Sequence, residues 1–319
     1  LVDVSVVVFG LSGQLARSLQ AGLPRAGLPR AGLPKAESLQ AGLPNAGSPS
    51  QLKVVFLDRA ACDLSVPNAV TDALAHHKPA FIINAAAYTA VDKAESEPDL
   101  AHQVNATAVA EMAIYAGEHR SKLIHISTDF VFDGTRRQPY QPGDPTSALG
   151  VYGHSKLAGE QAVVTRAPEN AMIIRTSWVY SEYGQNFVKT MLRLMAERDE
   201  LGVVNDQMGA PTYAAGLAEV IWDIVINDRF APGIYHWSDR GSISWYDFAQ
   251  AIQAEALSRG LLAGVIPIKA IPTEAYPTPA ARPEYSVLDT SKLETLLGLP
   301  AIEWRLRLRD MLDAIEANP

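Results

Sequence analysis

The chain is short of the features that mark several large protein classes. One cysteine, Cys62, stands among 319 residues, which excludes an intramolecular disulfide and fits a reducing compartment. No apolar run approaches the roughly 20 residues that a membrane span requires, so no membrane partner is expected. The opening Leu1-Val2-Asp3-Val4 lacks the basic-then-apolar plan of a secretory signal, and the expected location is the cytoplasm. Lysine and arginine total 27 against 35 acidic residues, a formal charge of −8, and no basic stretch is present to serve as a nucleic-acid surface. His76-His77 lacks metal-ligand spacing, and no Cys/His/carboxylate grouping suggests zinc, so no metal site is assigned. The acidic balance leaves a nucleotide ligand open, because helix ends and local donors bind phosphate.

What is present is an alternation of apolar runs and helical stretches. Val4 to Phe9 is a β-branched run ending at Gly10, and Gln14 to Gln20 is helical, with Leu15 and Leu19 four residues apart. Lys53 to Leu57, Phe81 to Asn84, Lys122 to Ile126 and Met172 to Arg175 read as further buried strands, with a helix over Asp99 to Glu118. This order predicts an α/β fold, a doubly wound parallel, Rossmann-like sheet with ligands at its carboxyl edge. Beyond Tyr180, helices over Phe187 to Arg198, Ala214 to Ile226 and Trp245 to Ser258 are separated by proline-containing loops. The expected division is a dinucleotide-binding domain over 1–180 and a smaller, mainly helical substrate-binding lid over 181–319, parts of which return to the sheet.

Residues 21–51 break the alternation. Ala-Gly-Leu-Pro recurs at Ala21, Ala26, Ala31 and Ala41, with prolines that disrupt helix and ladder alike. A five-residue period is too short for a solenoid, and the segment reads as a tandem insertion forming a flexible surface loop.

Three clusters carry chemistry. In Gly10-Leu-Ser-Gly13-Gln-Leu-Ala16, two glycines let the backbone turn tightly and approach a pyrophosphate at a helix N-terminus, and Ala16 stands in for a third glycine. Gly10, Ser12, Gly13, Gln14 and Leu15 are the candidate cofactor contacts there. Asp58 ends the second strand, where an acid can bind the adenine ribose, whereas Arg59 beside it suits a 2′-phosphate, so NADH and NADPH both remain open. Asp63 either lies near adenine or caps a helix beginning near Ser65. Ala85, Ala86 and Ala87, after the third strand, complete the cofactor list. Ser127-Thr128-Asp129 follows the fourth strand; its hydroxyls either polarise a substrate carbonyl or cap a turn. Tyr152 and Lys156 are one helical turn apart and share a face, which predicts that the ammonium lowers the phenol's pKa and makes Tyr152 an acid or base at neutral pH. His154 between them faces away, and His125 is a strand residue. Trp178, Tyr180 and Phe187 read as core on aromatic content alone.

Longer segments resemble a known family. Asn84-Ala-Ala-Ala-Tyr-Thr-Ala-Val-Asp-Lys-Ala-Glu-Ser-Glu-Pro98, Ser127-Thr-Asp-Phe-Val-Phe-Asp-Gly134, Tyr152-Gly-His-Ser-Lys-Leu-Ala-Gly-Glu160, Arg175-Thr-Ser-Trp-Val-Tyr180, Asn205-Asp-Gln-Met-Gly-Ala-Pro-Thr212 and Tyr276-Pro-Thr-Pro-Ala-Ala-Arg-Pro283 are similar to the dTDP-4-dehydrorhamnose reductase family. That family lies in the extended short-chain dehydrogenase/reductase group. The resemblance runs from Val4 to Arg309, excluding the repeat. It implies NAD(P)H-dependent reduction of the C4 ketone of dTDP-4-dehydro-L-rhamnose for surface polysaccharide synthesis. Carried over by motif, Thr128, Tyr152 and Lys156 are the catalytic group; Lys156 also holds the nicotinamide ribose, and Thr128 and Asp129 meet the sugar. Trp178 becomes a wall of the sugar pocket, and Asn186, Gln207 and Arg282 are candidates for holding the nucleotide-sugar. Some relatives are magnesium-bridged dimers using an acidic residue of the first helix. Here that helix reads Ala16-Arg17-Ser18, which does not support Mg2+ and leaves a monomer or homodimer. Two other readings stay open: a non-catalytic dinucleotide-binding regulatory subunit resembling the methionine adenosyltransferase partner, and a related nucleotide-sugar epimerase or 4-ketosugar reductase.

Overall fold

A computed structural model of the chain describes residues 4–23 and 52–317. Most of the repeat, residues 24–51, lies outside the described residues.

Five strands follow one another as β1 (Val4–Phe9), β2 (Leu52–Leu57), β3 (Phe81–Asn84), β4 (Lys122–Thr128) and β5 (Ala171–Thr176). With a sixth strand, Gly233–His236, beyond β5, they form one sheet in which every neighbouring pair is parallel. The order across it is Gly233–His236, β5, β4, β3, β1, β2. β2 and β3 thus lie on opposite sides of β1, and the chain reverses its direction of travel between β1 and β3. Such a reversal opens a crevice at the strands' carboxyl ends, where doubly wound sheets bind ligands.

Strands buried on both faces need continuous apolar sequence, and alternate residues supply two cores. Val6, Val8, Ile83, Ile124 and Ile174 face a layer containing Leu15, Leu19, Leu217, Ile221 and Trp222. Those residues come from the helices Gln14–Ala21 and Ala214–Ile226, and the Trp222 indole N–H donates to the Leu19 carbonyl at 3.0 Å. Val7, Phe9, Ile82, Leu123 and Ile173 face the opposite layer, with Val70, Leu74, Met112 and Val163. Both the strand Gly233–His236 and the helix Ala214–Ile226 come from the second half of the chain, so that half supplies an edge and a face of the sheet assembly. A third core holds Tyr180, Val188, Met191, Leu201, Phe248, Ile252, Leu308 and Met311, and gathers the helices Phe187–Glu197, Trp245–Ser258 and Trp304–Ala317.

The structure corrects two local expectations. The helix expected over Asp99 to Glu118 is three pieces: Pro98–His102, a π-helical turn over Gln103–Thr107, and Ala108–His119. The wide turn presents the buried Asn105. Its Oδ1 accepts the Tyr88 N–H at 2.8 Å, while its amide donates to the Tyr88 carbonyl and Ser155 Oγ, each at 3.0 Å. The helix expected near Ser65 begins at Ala69, because Asp63 binds the backbone N–H and hydroxyl of Ser65 and closes a turn instead.

Candidate active site

The fourth strand does not stop at Ile126. Ser127 and Thr128 remain in register with Arg175 and Thr176 of β5, so the hydroxyl pair is carried on the strand itself and not on the turn after it. Beneath it lies a buried polar floor. Ser127 Oγ donates to Glu160 Oε1 at 2.5 Å, and Arg175 grips both oxygens of Glu160, Nε to Oε1 at 2.9 Å and Nη2 to Oε2 at 2.7 Å. Arg175 also donates to the Pro142 carbonyl, and His236 Nδ1 lies 2.9 Å from the Tyr140 carbonyl. Burial and the Arg175 charge push the His236 imidazole down to about 3, so it is neutral. An ion pair this deep needs good geometry and satisfied neighbours, and here the bidentate contact and the further bonds of Arg175 and Ser127 supply both.

The helix Val151–Arg166 brings Tyr152 and Lys156 over this floor. It can approach because position 153 has no side chain: a Cβ there would lie 2.4 Å from the Phe130 carbonyl oxygen. Phe130 in turn meets the Tyr152 ring edge-to-face at 5.6 Å. Lys156 does not act as its spacing predicts. Its Nζ donates to the Ile126 carbonyl at 2.7 Å, and burial pushes it down to about 8, opposed by Glu160 one turn along. The Tyr152 phenol is raised, to about 12, because burial outweighs the Thr128 hydroxyl that lowers it, and the charge of Asp129 adds to the rise. Asp129 is itself pushed up to about 6 by burial, held back by the Ser286 and Thr128 hydroxyls and by backbone N–H groups. Thr128 Oγ1 donates to Asp129 Oδ1 at 3.1 Å and accepts the Phe130 N–H at 3.2 Å. Thr128, Asp129, Tyr152 and Lys156 therefore form one cluster at the carboxyl end of β4. His154 is exposed on the far side of the helix.

The glycine turn lies across the switch point. Gly10 has φ +108°, and its Cα faces the Ala85 backbone, where a Cβ would stand 3.4 Å from both carbonyl atoms. Space beside Gly13 is open, and the helix after it starts with no side-chain cap and no acidic residue in its first turn. Free backbone N–H groups at an open helix end fit a pyrophosphate. Ser12 and Gly13 are exposed, whereas the Leu15 side chain is core, leaving only its backbone for a ligand. Ala85 to Ala87 are half-buried beside this turn, and the Ala85 N–H donates to the Phe9 carbonyl. Asp58 Oδ1 accepts the Ala61 N–H at 2.8 Å. Arg59 is paired with Asp63 at 2.9 Å, and Asp63 is lowered to about 2, chiefly by the Ser65 hydroxyl and backbone and then by Arg59.

The four remaining candidates take different places. Asn186 caps the helix Phe187–Glu197, and its amide donates to Gln14 Oε1 at 3.0 Å; Ser181 Oγ donates to the same oxygen at 2.9 Å. Asn186 thus meets the glycine turn through Gln14. Gln207 is buried and donates to Thr273 Oγ1 at 3.0 Å. Arg282 is not free for a pyrophosphate: it is bidentate on Asp92, at 2.9 and 2.7 Å, and joins the proline-rich loop to the helix Val91–Ala94. Trp178 is half-buried and stacks on Trp245 with ring centroids 3.5 Å apart.

Sequence reasoning gave no role to Glu160, Arg175, Asn105 or Trp245. A signal existed for one of them: an arginine inside the apolar run Met172-Ile-Ile-Arg175 requires a buried acid. Among the described residues, no three His, Cys, Asp or Glu side chains are grouped so as to hold a metal, and no helix is long and apolar enough to cross a membrane.

Known proteins resemble this chain in sequence and fold. The family model described as RmlD substrate binding domain matches residues 4–317. A dTDP-4-dehydrorhamnose reductase of Salmonella typhimurium is 45% identical over 253 residues, which is 78% of this chain and 84% of the relative. One from Aggregatibacter actinomycetemcomitans is 43% identical over 263 residues, 81% of this chain and 89% of that one. Among solved structures, the dTDP-4-dehydrorhamnose reductase of Bacillus anthracis in complex with NADP superposes with a TM-score of 0.82 at 33% identity. It covers 98% of this chain and 100% of that one. The Thermus thermophilus UDP-glucose 4-epimerase complex with NAD, 17% identical with a TM-score of 0.75 over 99% of this chain and 100% of that one, shares the fold. With a family match spanning the described residues from end to end and reductases of this identity covering most of its length, the chain belongs to the RmlD substrate binding domain family, that of the dTDP-4-dehydrorhamnose reductases.

Proposed function

We propose that this chain reduces the C4 ketone of dTDP-4-dehydro-L-rhamnose to the alcohol of dTDP-L-rhamnose, consuming one NADPH or NADH and one proton per turnover. The observation that carries the reading is the joint placement of a threonine hydroxyl, a protonated phenol and a lysine at the carboxyl end of β4, beside an open glycine turn.

The reduced nicotinamide supplies the hydride; the chain's residues do the rest. Free N–H groups after Gly13 would hold the pyrophosphate, and Asp58 and Arg59, just past β2, would meet the adenine ribose. Thr128 donates a hydrogen bond to the ketone oxygen and fixes its approach. Tyr152, raised to about 12, holds its proton at neutral pH and so is a donor: it delivers that proton to the C4 oxygen as negative charge develops there. Lys156 carries its proton below about pH 8, and its ammonium, now donating to the Ile126 carbonyl, would hold the nicotinamide ribose. Residues 1–180 hold the cofactor and the groups that meet the C4 ketone, and residues 181–319 add Gln207 and the Trp245 face packed on Trp178 to the sugar-nucleotide side.

The test is absorbance of the reduced nicotinamide with dTDP-4-dehydro-L-rhamnose generated in place. Wild type is expected to oxidise NADPH or NADH stoichiometrically with the sugar, and Tyr152→Phe to lose roughly 10²–10⁴-fold in turnover while binding cofactor normally. Turnover by Tyr152→Phe at the wild-type rate would remove the tyrosine from its role. Sugar conversion without net cofactor oxidation would replace the reductase with an epimerase.

A further inference from the structure

Trp178 stands two residues beyond the end of β5, whose Thr176 pairs with Thr128. Its backbone has φ +46°, a conformation bulky residues rarely adopt. The neighbouring backbone is tied down on both sides: Ser177 Oγ donates to the Ala210 carbonyl at 2.7 Å, and the Thr212 N–H donates to the Trp178 carbonyl at 3.3 Å.

The indole is held as firmly. Trp245 stacks on it with planes 10° from parallel and centroids 3.5 Å apart, and Phe187 backs Trp245 at 4.6 Å. Against Gly209 there is no room at all: a Cβ would lie 2.5, 2.6 and 2.8 Å from Trp178 Cε2, Cζ2 and Nε1. Gly209 does not have a left-handed φ, so its backbone tolerates alanine and only the indole demands glycine. Both contacts belong to one small unit. Gly209 pairs with Ile243 and Met208 with Ser244 in an antiparallel ladder, and Ser244 caps the helix that starts at Trp245 through a reciprocal box with Asp247. Backbone register therefore sets the distance between the two contacts.

The geometry points to Gly209 and Trp245 as positioning residues that clamp the Trp178 indole and so set the sugar-side wall of the active site, an inference that rests on Trp178 being that wall. Neither belongs to the group around Thr128 and Tyr152. They act through Trp178: a wall fixed to the end of β5 sets how tightly a ketosugar is held beside Thr128, so displacing it weakens substrate binding more than it slows the chemical step.

A substitution cycle with two readouts tests this. Gly209→Ala is expected to raise KM for dTDP-4-dehydro-L-rhamnose about tenfold and change kcat less than about threefold, with the NADPH dissociation constant within about twofold of wild type. In a Trp178→Ala background the same substitution is expected to add less than about twofold, because the indole it displaces is gone. Stacked indoles couple their electronic transitions, so wild type is expected to show an exciton couplet in circular dichroism. It should vanish in Trp178→Ala and Trp245→Leu and weaken in Gly209→Ala. Equal KM penalties with and without Trp178, or an unchanged couplet in Gly209→Ala, would overturn the clamp. If Gly209→Ala does not accumulate folded, Trp245→Leu carries the same cycle without introducing overlap. A wild-type KM in Trp178→Ala would remove the wall and the clamp's function with it, whereas the reductase reading is judged separately by wild-type cofactor oxidation.

Discussion

Two carboxyl ends of the same sheet are built in opposite ways. Under β4 and β5, Ser127, Glu160, Arg175 and His236 are all buried and joined to one another or to backbone carbonyls. At β1 and β2 the glycine turn is open, its helix end lacks a side-chain cap, and the charges nearby, Arg59 and Asp63, are paired at the surface. The first end has its charge supplied from within and underlies the Thr128–Tyr152–Lys156 cluster. The second presents backbone donors at a helix N-terminus with no acidic side chain beside them, which suits an anion. A site that moves a proton at a fixed atom and also admits a large anion needs both kinds of end.

Breaking the closed end should give the largest effect on stability. Arg175→Met leaves Glu160 buried without its cation and is expected to cost about 3–5 kcal/mol, read by chemical denaturation. Adding Glu160→Gln should recover part of that loss, since a neutral amide is cheaper to bury than an unpaired carboxylate. A loss below 1 kcal/mol for Arg175→Met would show that this ion pair does not anchor the closed end.

The next effect distinguishes a buried acid that meets a cation from one that meets only hydroxyls and N–H groups. Asp129 is of the second kind, and its folded value of about 6 lies above its ordinary value. The folded state therefore holds this proton more tightly than the unfolded chain does. The resulting stabilisation is complete below the unfolded value and is lost as pH rises through about 6. Its size is on the order of 3 kcal/mol. Unfolding free energy measured from pH 4 to 7 should fall through this window, and Asp129→Asn should flatten that part of the curve. An unchanged slope in Asp129→Asn would assign the titration to another group.

Between the two ends, Gln14 and Asn186 form the bridge. Asn186→Ala removes a helix cap and a donor to Gln14, which is expected to cost about 1 kcal/mol of stability. Because Gln14 begins the helix at the open end, NADPH affinity should fall severalfold in a fluorescence titration. Loss of stability with unchanged NADPH affinity would confine Asn186 to capping.

How much of this the sequence revealed depended on the range of the interactions. The strands Val4–Phe9 and Phe81–Asn84 and the helices Ala214–Ile226 and Trp245–Ser258 have the bounds that β-branching and periodicity predict, because local pattern decides them. The joint position of Thr128, Tyr152 and Lys156 was legible as motif plus spacing. The ionisation of Tyr152 was not: four-residue spacing says that two groups can meet, but burial and the Ile126 carbonyl decide where the lysine points. The π-turn around Asn105 depends on Tyr88 and Ser155, 17 and 50 residues away. Arg282 looked available for phosphate because its partner Asp92 is 190 residues off. Contacts at such separations leave no periodic trace in the chain.

The smallest effect tests the open end. The Arg59 side chain is 78% exposed and that of Asp63 29%, so their pairing contributes at most about 0.5 kcal/mol whatever the shift of Asp63, since water screens it. Arg59→Gln should therefore leave the denaturation midpoint nearly unchanged. Its effect belongs to the ligand: a 2′-phosphate would draw Arg59 from Asp63, whereas a free ribose would leave the pair intact beside Asp58. NADPH affinity is expected to fall several-fold in Arg59→Gln while NADH affinity stays level, measured by the ratio of the two dissociation constants. Equal changes for both cofactors would show that Arg59 does not read the 2′-position, and would leave Asp58 and the glycine turn to bind either cofactor alike. A change in stability larger than the change in affinity ratio would mean that this end, too, is held together from within, and the contrast between the two ends would fail.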